Sequence, residues 1–251
     1  MSKIAIFIPS RMGSTRLPNK PLAMIGDKPM ILHVVEKAKI ADIGPVYVAC
    51  AEEEIADVVR NAGCEAILTD PAHNSGSDRI WEALNKIDPE GNIEIIINLQ
   101  GDMPMIDPEI IKMAAEIMSN SDADIGSFAA PIKSEEELNN PSVVKIALSL
   151  NSDAKTDQKP ANALYFSRLP VPYGAKSFWH HIGIYAYRRS SLKKFVSFQC
   201  SYLENCEKLE QLRALENGMK IDIAIVDAVP MGIDTKEDLE KARAMVEGCY
   251  V

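Results

Sequence analysis

Up to about residue 120 the chain repeats one pattern: a short unbroken apolar run, then an amphipathic stretch of about 10–15 residues. Few folds accept it. "KIAIFIP" (3–9), "PVYVAC" (45–50), "CEAILT" (64–69) and "IEIIINL" (93–99) read as strands. Between and after them, "PMILHVVEKAKI" carries a proline in its first turn, and "EEEIADVVRNAG" starts acidic and ends on Gly63. "SDRIWEALNKI" opens on Ser77 or Asp78 as cap, and "DPEIIKMAAEIM" on Asp107 and Pro108, so all four read as helices. Strands that are apolar without alternation need cover on both faces, which a parallel sheet with crossover helices provides. The fold class is α/β.

Beyond about residue 125 the rhythm changes. "DIGSFAAPI", "SVVKIALSL", "NALYFSR" and "HHIGIYAYR" are strands with fewer helices between them, which predicts mixed or antiparallel additions. "SLKKFVSF" and "LENCEKLEQLRALENG" (203–218) read as helices, "KIDIAIV" as a strand, and "TKEDLEKARAMVEG" as the closing helix. The polar stretch 151–162 reads as a loop or linker. There are no repeats, and the whole chain reads as a single domain.

Charge narrows the partners. The 251 residues carry a net charge of −9, which disfavours nonspecific binding to nucleic acid or anionic membrane. Five cysteines (50, 64, 200, 206 and 249) form no C-x-x-C pair, as expected of a reduced, cytoplasmic chain. "IAIFIP" is too short for a secretory leader, and no apolar run nears the ~20 residues that span a bilayer.

In this acidic chain, "PSRMGSTRLPNK" gathers Arg11, Arg16 and Lys20 in the loop after the first strand. Ligands of open parallel sheets sit at the carboxyl ends of strands, and Arg and Lys are the phosphate-binding side chains. Neither G-x-G-x-x-G nor G-x-x-x-x-G-K-[ST] is present, so a dehydrogenase or a P-loop kinase is disfavoured. The alternative is a solvated basic loop. "QGDMPMIDP" places Asp102 at the same edge, where a carboxylate facing phosphate-binding cations suits Mg²⁺, or is simply a turn. "DPAHNSGSDR" offers Ser75 and Gly76 to a flat base, with His73 and Arg79 beside them. In "GIDTKEDLEKA", Asp234 and Thr235 each begin a capping box, and the local sequence favours Asp234 as the cap.

"IPSRMGSTRLPNKPL", "HNSGSDRI", "NLQGDMPMI", "ALYFSRLPVPY", "HHIGIYAYR", "LEQLRALENG" and "GIDTKEDLEKA" follow one another in this order. Together they resemble the motifs of the 3-deoxy-manno-octulosonate (KDO) cytidylyltransferases over almost the whole chain. The resemblance implies a three-layer, Rossmann-like nucleotidyltransferase fold with a mixed, mainly parallel sheet. Residues 160–190 would be a small insertion that covers the acceptor and pairs subunits. It further implies transfer of CMP from CTP to KDO with release of pyrophosphate, on the route to lipopolysaccharide, by a Mg²⁺-dependent cytoplasmic homodimer. Carried over by motif, Ser10, Arg11, Arg16 and Lys20 hold the triphosphate, with Ser75, Gly76, Arg79, Gln100 and Gly101 completing the CTP site. Arg11, Arg16, Lys20 and Asp102 are the catalytic set, and Asp102 and Asp234 the metal carboxylates. Gln100, Arg168, His181, Tyr185, Glu210 and Gln211 grip the sugar acid.

Three departures accompany the resemblance. Met103 stands where the family has an acidic residue, Ala49-Cys50-Ala51 where it has Ala-Thr-Asp, and the loop from Tyr173 to Trp179 is short. Two other readings remain open. One is a cytidylyltransferase for another acidic sugar, such as a sialic acid or an amino-substituted octulosonate; the other is a non-catalytic sugar-nucleotide binder.

Overall fold

The protein is described here by a computed structural model covering residues 3–14, 16–150 and 160–246. Most of the linker stretch, and Cys249, lie outside these residues. The chain divides into two compact units: the residues to Lys112 with those from Pro230 onward, and Met113–Val229.

The first unit begins with β1 (Ile4–Ser10), a small hairpin of β2 (Met24–Ile25) and β3 (Lys28–Pro29), and helix α1 (Met30–Ala41). There follow β4 (Val46–Cys50), α2 (Glu53–Asn61), β5 (Glu65–Leu68), α3 (Gly76–Ile87) and β6 (Ile95–Asn98), and then α4 (Pro108–Asn120), which starts in this unit and ends in the second. Strands β5, β4, β1 and β6 lie side by side in that order, all parallel. Ala5 through Ile8 are fully buried, as unbroken apolar runs require. Helix α1 packs Met30, Ile31, Val34, Val35 and Ala38 inward at helical spacing, and stops where Asp42 turns left-handed. The chain moves from β1 outward to β4 and β5, then returns to the other side of β1 with β6. That reversal is a topological switch point, and it opens a crevice at the strands' carboxyl ends.

The second unit holds β7 (Ile125–Pro131), α5 (Glu135–Asn139), β8 (Lys145–Ser149), β9 (Ala161–Ser167) and β10 (Trp179–Arg188). It continues through α6 (Arg189–Ser197), α7 (Tyr202–Glu207), α8 (Leu212–Glu216) and β11 (Ile221–Ile225). Its strands run in the order β10, β7, β11, β9, β8; only β7 and β11 pair in parallel. A bridge between His180 and Lys145 ties β8 back to β10. The chain closes with α9 (Lys236–Val246), which returns to the first unit and buries Leu239 and Ala242 against Leu17, Ile25, Met30 and Ile233.

Three local expectations are corrected. Stretch 203–218 is two helices, because Lys208 adopts φ 56° and breaks the run. The terminal carbonyls of α7 are taken by Arg168, whose Nε donates to Glu207 O at 2.6 Å and whose guanidinium also reaches Lys208 O. Glu210 therefore lies between helices, and Gln211 is the first, capping residue of α8. The cap of α3 is Ser75, whose Oγ accepts from Asp78 N–H, rather than Ser77 or Asp78. The cap of α9 is Thr235: its Oγ1 accepts from Asp238 N–H, while the Asp238 carboxylate accepts from Thr235 N–H and Asp234 N–H. That reciprocal box leaves the Asp234 carboxylate outside the helix.

Candidate active site

At the switch point of the first unit lies a cavity of about 400 Å³. The loop after β1, the turn after β6 and the entry to α3 line it, and between them they bring Arg11, Arg16, Lys20 and Arg79 to one hollow. Pro9, near the end of β1, also lines it. A Cβ on Gly76 would meet the Pro9 ring at 3.1 Å, and one on Gly101 would meet Pro9 O at 3.1 Å. Both positions therefore favour glycine, and both neighbouring backbones are drawn against the end of β1.

The basic loop is held at several points. Met12 N–H donates to the Glu52 carboxylate at 3.1 Å, Leu17 N–H donates to Ser14 Oγ, and the Leu17 side chain is buried. Glu52 directly follows the departing Ala49-Cys50-Ala51, so an acidic group still meets the loop. Asn19 turns left-handed and Pro21 sets a 3-10 turn that starts at Lys20. The two cations then differ: the Arg16 side chain is 59% exposed and the Lys20 side chain 13%. Lys20 is thus a nearly buried ammonium, not a solvated arm.

Lys20 Nζ donates to Asp102 Oδ2 at 2.7 Å and to Asp234 Oδ1 at 2.9 Å. Arg16 pairs with the other oxygen of Asp234 at 3.1 Å. Burial alone would lower the Lys20 pKa; the two carboxylates outweigh it and hold the pKa above the usual lysine value. The meeting of Asp102 and Asp234 has a backbone cause, since Ile233 N–H donates to Asp102 O at 2.9 Å. Met103 sits in the adjoining turn and leaves Asp102 in place. Among the described residues no three His, Cys, Asp or Glu side chains cluster to hold a metal unaided. Mg²⁺ needs only one or two carboxylates when phosphate oxygens and water supply the rest, and this pair fits that requirement.

The other wall is built around Arg79, 2% exposed on α3. Its NH1 donates to Thr69 Oγ1 at 2.6 Å and to Asp70 O at 3.2 Å, whereas its NH2 is buried without a partner among the described residues. Ser10 Oγ, at the end of β1, is buried and unpartnered in the same sense. Buried donors in this condition are rare unless something absent completes them. Gln100 donates to Asn98 Oδ1 at 3.1 Å, which fixes its amide orientation. His73 is tied to Glu82; burial would raise that carboxyl's pKa, but Lys86, Asp70 N–H and His73 hold it at about 2. Thr69 and Asn98 escaped the motif reading. Their signal is a lone polar residue at or near the end of an apolar strand.

The predicted acceptor residues lie in the second unit, Gln100 apart. Arg168 spends three of its five N–H groups on the carbonyls of Glu207, Pro141 and Lys208. It is thus a structural clamp with two donors left, not an open fork. The Glu210 carboxylate pairs with Arg213 at 3.0 Å. Gln211 is 6% exposed, and its side chain has no hydrogen-bond partner among the described residues. His181 and Tyr185 are brought together on β10, ring centroids 5.6 Å apart, and burial raises the Tyr185 pKa well above the usual phenol value.

His181 also makes the fold acid-sensitive. Burial, with a smaller contribution from His180, lowers its pKa from 6.5 to about 3. The unfolded chain takes up this proton first as pH falls. The contribution is therefore intact above about pH 6.5 and is lost between there and about pH 3, at roughly 1.4 kcal/mol per pH unit. Urea midpoints should fall from pH 7 to pH 5, and His181→Gln should remove part of that fall. Equal slopes for both proteins would contradict it.

The family model described as cytidylyltransferase matches residues 5–221. The 3-deoxy-manno-octulosonate cytidylyltransferase of Paramagnetospirillum magneticum is 52% identical over 96% of this chain and 97% of its own. That of Rhodospirillum centenum is 50% identical over 96% and 93%. A solved CMP:2-keto-3-deoxy-manno-octonic acid synthetase in complex with CTP is 38% identical, covers 99% of this chain and 100% of its own, and superposes with a TM-score of 0.88. A cytidylyltransferase from Leptospira borgpetersenii, 18% identical with a TM-score of 0.64, shares the fold.

Proposed function

The chain belongs to the 3-deoxy-manno-octulosonate cytidylyltransferase family, and from that premise we propose that it transfers CMP from CTP to KDO, releasing pyrophosphate. One observation carries the reading. An acidic protein gathers four cations around one hollow, with Ser10 Oγ and Arg79 NH2 buried there and without a partner among the described residues. A nucleoside triphosphate supplies what these groups lack. Its phosphates meet Arg11, Arg16 and Lys20 on one side, and its base and ribose bring polar edges to Ser75, Arg79 and Gln100 on the other.

The reaction is an in-line displacement: the anomeric hydroxyl of KDO attacks the α-phosphorus and the bond to pyrophosphate breaks. Such chemistry depends on positioning and charge neutralisation, and no side-chain nucleophile is required. Arg11 and Arg16 reach the phosphates from an exposed loop and balance charge on the departing pyrophosphate. Lys20 keeps the carboxylates of Asp102 and Asp234 gathered and adds its own charge at the same point. Mg²⁺ held by these two carboxylates would supply further neutralisation of the triphosphate. A homodimer, a cytoplasmic setting and a place in lipopolysaccharide synthesis belong to the same proposal and rest on family membership.

Acceptor binding is assigned to His181, Tyr185, Glu210 and Gln211, with Arg168 holding the segment that carries the last two. Gln211→Ala should raise the KM for KDO roughly 3–10-fold, the value of one hydrogen bond, and leave that for CTP unchanged. An equal rise in both constants would argue for misfolding instead. The proposal as a whole is tested by mass analysis of an incubation with CTP, KDO and Mg²⁺. CMP-KDO and pyrophosphate should form one for one; CTP consumed without a sugar adduct would overturn the assignment.

A further inference from the structure

The ladder between β7 and β10 is interrupted at one place. Ile182 lies opposite Phe128 and Ala186 opposite Gly126, so Gly183, Ile184 and Tyr185 all face Ser127 alone. A bulge of this kind frees strand carbonyls and re-aims side chains. Ser127 is fully buried, and its hydroxyl meets the freed groups. Oγ lies 2.8 Å from Ile184 O, 3.1 Å from Ile182 O and 3.0 Å from His181 Nε2.

The proton count decides how these groups bond. Oγ carries one hydrogen, and two carbonyls, which can only accept, compete for it. The oxygen therefore turns a lone pair toward His181, and the ring hydrogen sits on Nε2. Burial keeps the imidazole neutral, with its pKa lowered to about 3, so Nδ1 is left with a lone pair. Nδ1 has no hydrogen-bond partner among the described residues. The ring is held edge-on to Phe166 at 4.8 Å and tilted against Tyr185 at 5.6 Å, so it cannot turn over without repacking.

We propose that Ser127 is a positioning residue for acceptor binding, fixing His181 in its Nε2-protonated form and leaving Nδ1 to accept a hydrogen bond from a sugar hydroxyl. This rests on the assignment of His181 to the acceptor. It also adds a direction. A lone pair at Nδ1 attracts a hydroxyl and repels a carboxylate, so the acid group of the sugar lies away from His181 and a hydroxyl lies against it.

The test is nitrogen NMR of the full-length protein labelled at its four histidines, with the His181 signals assigned by their loss in His181→Gln. The wild-type ring should show a protonated Nε2 and an unprotonated Nδ1. In Ser127→Ala the two forms should mix, and the KM for KDO should rise about 5-fold or more while that for CTP holds. Ser127→Thr keeps the hydroxyl and should restore both readouts. A wild-type ring protonated on Nδ1, or a ring unchanged in Ser127→Ala, would overturn the inference; the first needs no substitution and survives any misfolding of the variant. A changed ring with an unchanged KM for KDO would remove His181 from the acceptor site and Ser127's positioning role with it, leaving the CTP assignment intact.

Discussion

Asp234→Asn should lower turnover by roughly 10²–10³-fold or more at any attainable Mg²⁺ concentration, while the melting temperature stays within about 4 °C of wild type. The cap of α9 is Thr235, so Asn at 234 disturbs no cap, and its N–H can still donate to Asp238. The carboxylate is half exposed, and its pairs with Arg16 and Lys20 add little stability in water. On the proposed function, the charge serves chemistry rather than stability. A carboxamide keeps the shape, still accepts from Lys20, and loses the charge that would hold a metal. Near-normal activity and unchanged Mg²⁺ dependence in Asp234→Asn would leave any metal to Asp102 alone.

Lys20→Ala and Arg16→Ala should each cut kcat/KM for CTP by about 10²-fold or more, since a charge-assisted phosphate contact is worth about 1.5–3 kcal/mol and more where it strengthens in the transition state. They should differ in stability. Arg16 is mostly exposed, and its loss should leave the urea midpoint in place. Lys20 is the cation on which two carboxylates converge, and its removal takes the ammonium from Asp102 and leaves Asp234 to Arg16 alone. Lys20→Ala should therefore unfold at lower urea, by roughly 1 kcal/mol after allowance for the exposure of both carboxylates. Wild-type turnover at subsaturating CTP in either variant would contradict the triphosphate assignment.

The elements that position the nucleotide cavity are legible in the sequence because each is a local signal. Unbroken apolar runs mark β1, β4, β5 and β6, and the loops after β1 and β6 carry Arg11, Arg16, Lys20 and Asp102 in plain view. What escapes depends on contacts distant in sequence. The break at Lys208 is hidden because the helical pattern runs through 203–218, while Arg168, which takes the carbonyls at the break, lies on another segment. Two overlapping capping boxes begin at Asp234 and Thr235, and the local sequence favours Asp234, whereas the structure caps with Thr235; the tie of Ile233 to Asp102 accompanies that choice. Arg79 reads as a pocket-lining residue, but its burial is not legible until Thr69 takes its guanidinium inside. Lys145 is similar: it is fully buried, with its three N–H groups on the carbonyls of Asn140, Val143 and Arg168. Nothing in "VVKIAL" announces that.

The most direct measurement is initial-rate pyrophosphate release with Mg²⁺ over a panel crossing CTP, UTP and ATP with KDO, an amino-substituted octulosonate and a sialic acid. The account predicts kcat/KM highest for CTP with KDO, by at least about 10²-fold over ATP or UTP, because Ser75, Arg79 and Gln100 would read the polar edge of the base. A sialic acid should be turned over far more slowly than KDO. No release with any pair would leave a sugar-nucleotide binder, and preference for another sugar acid would move the chain to a different acceptor; either result contradicts the account.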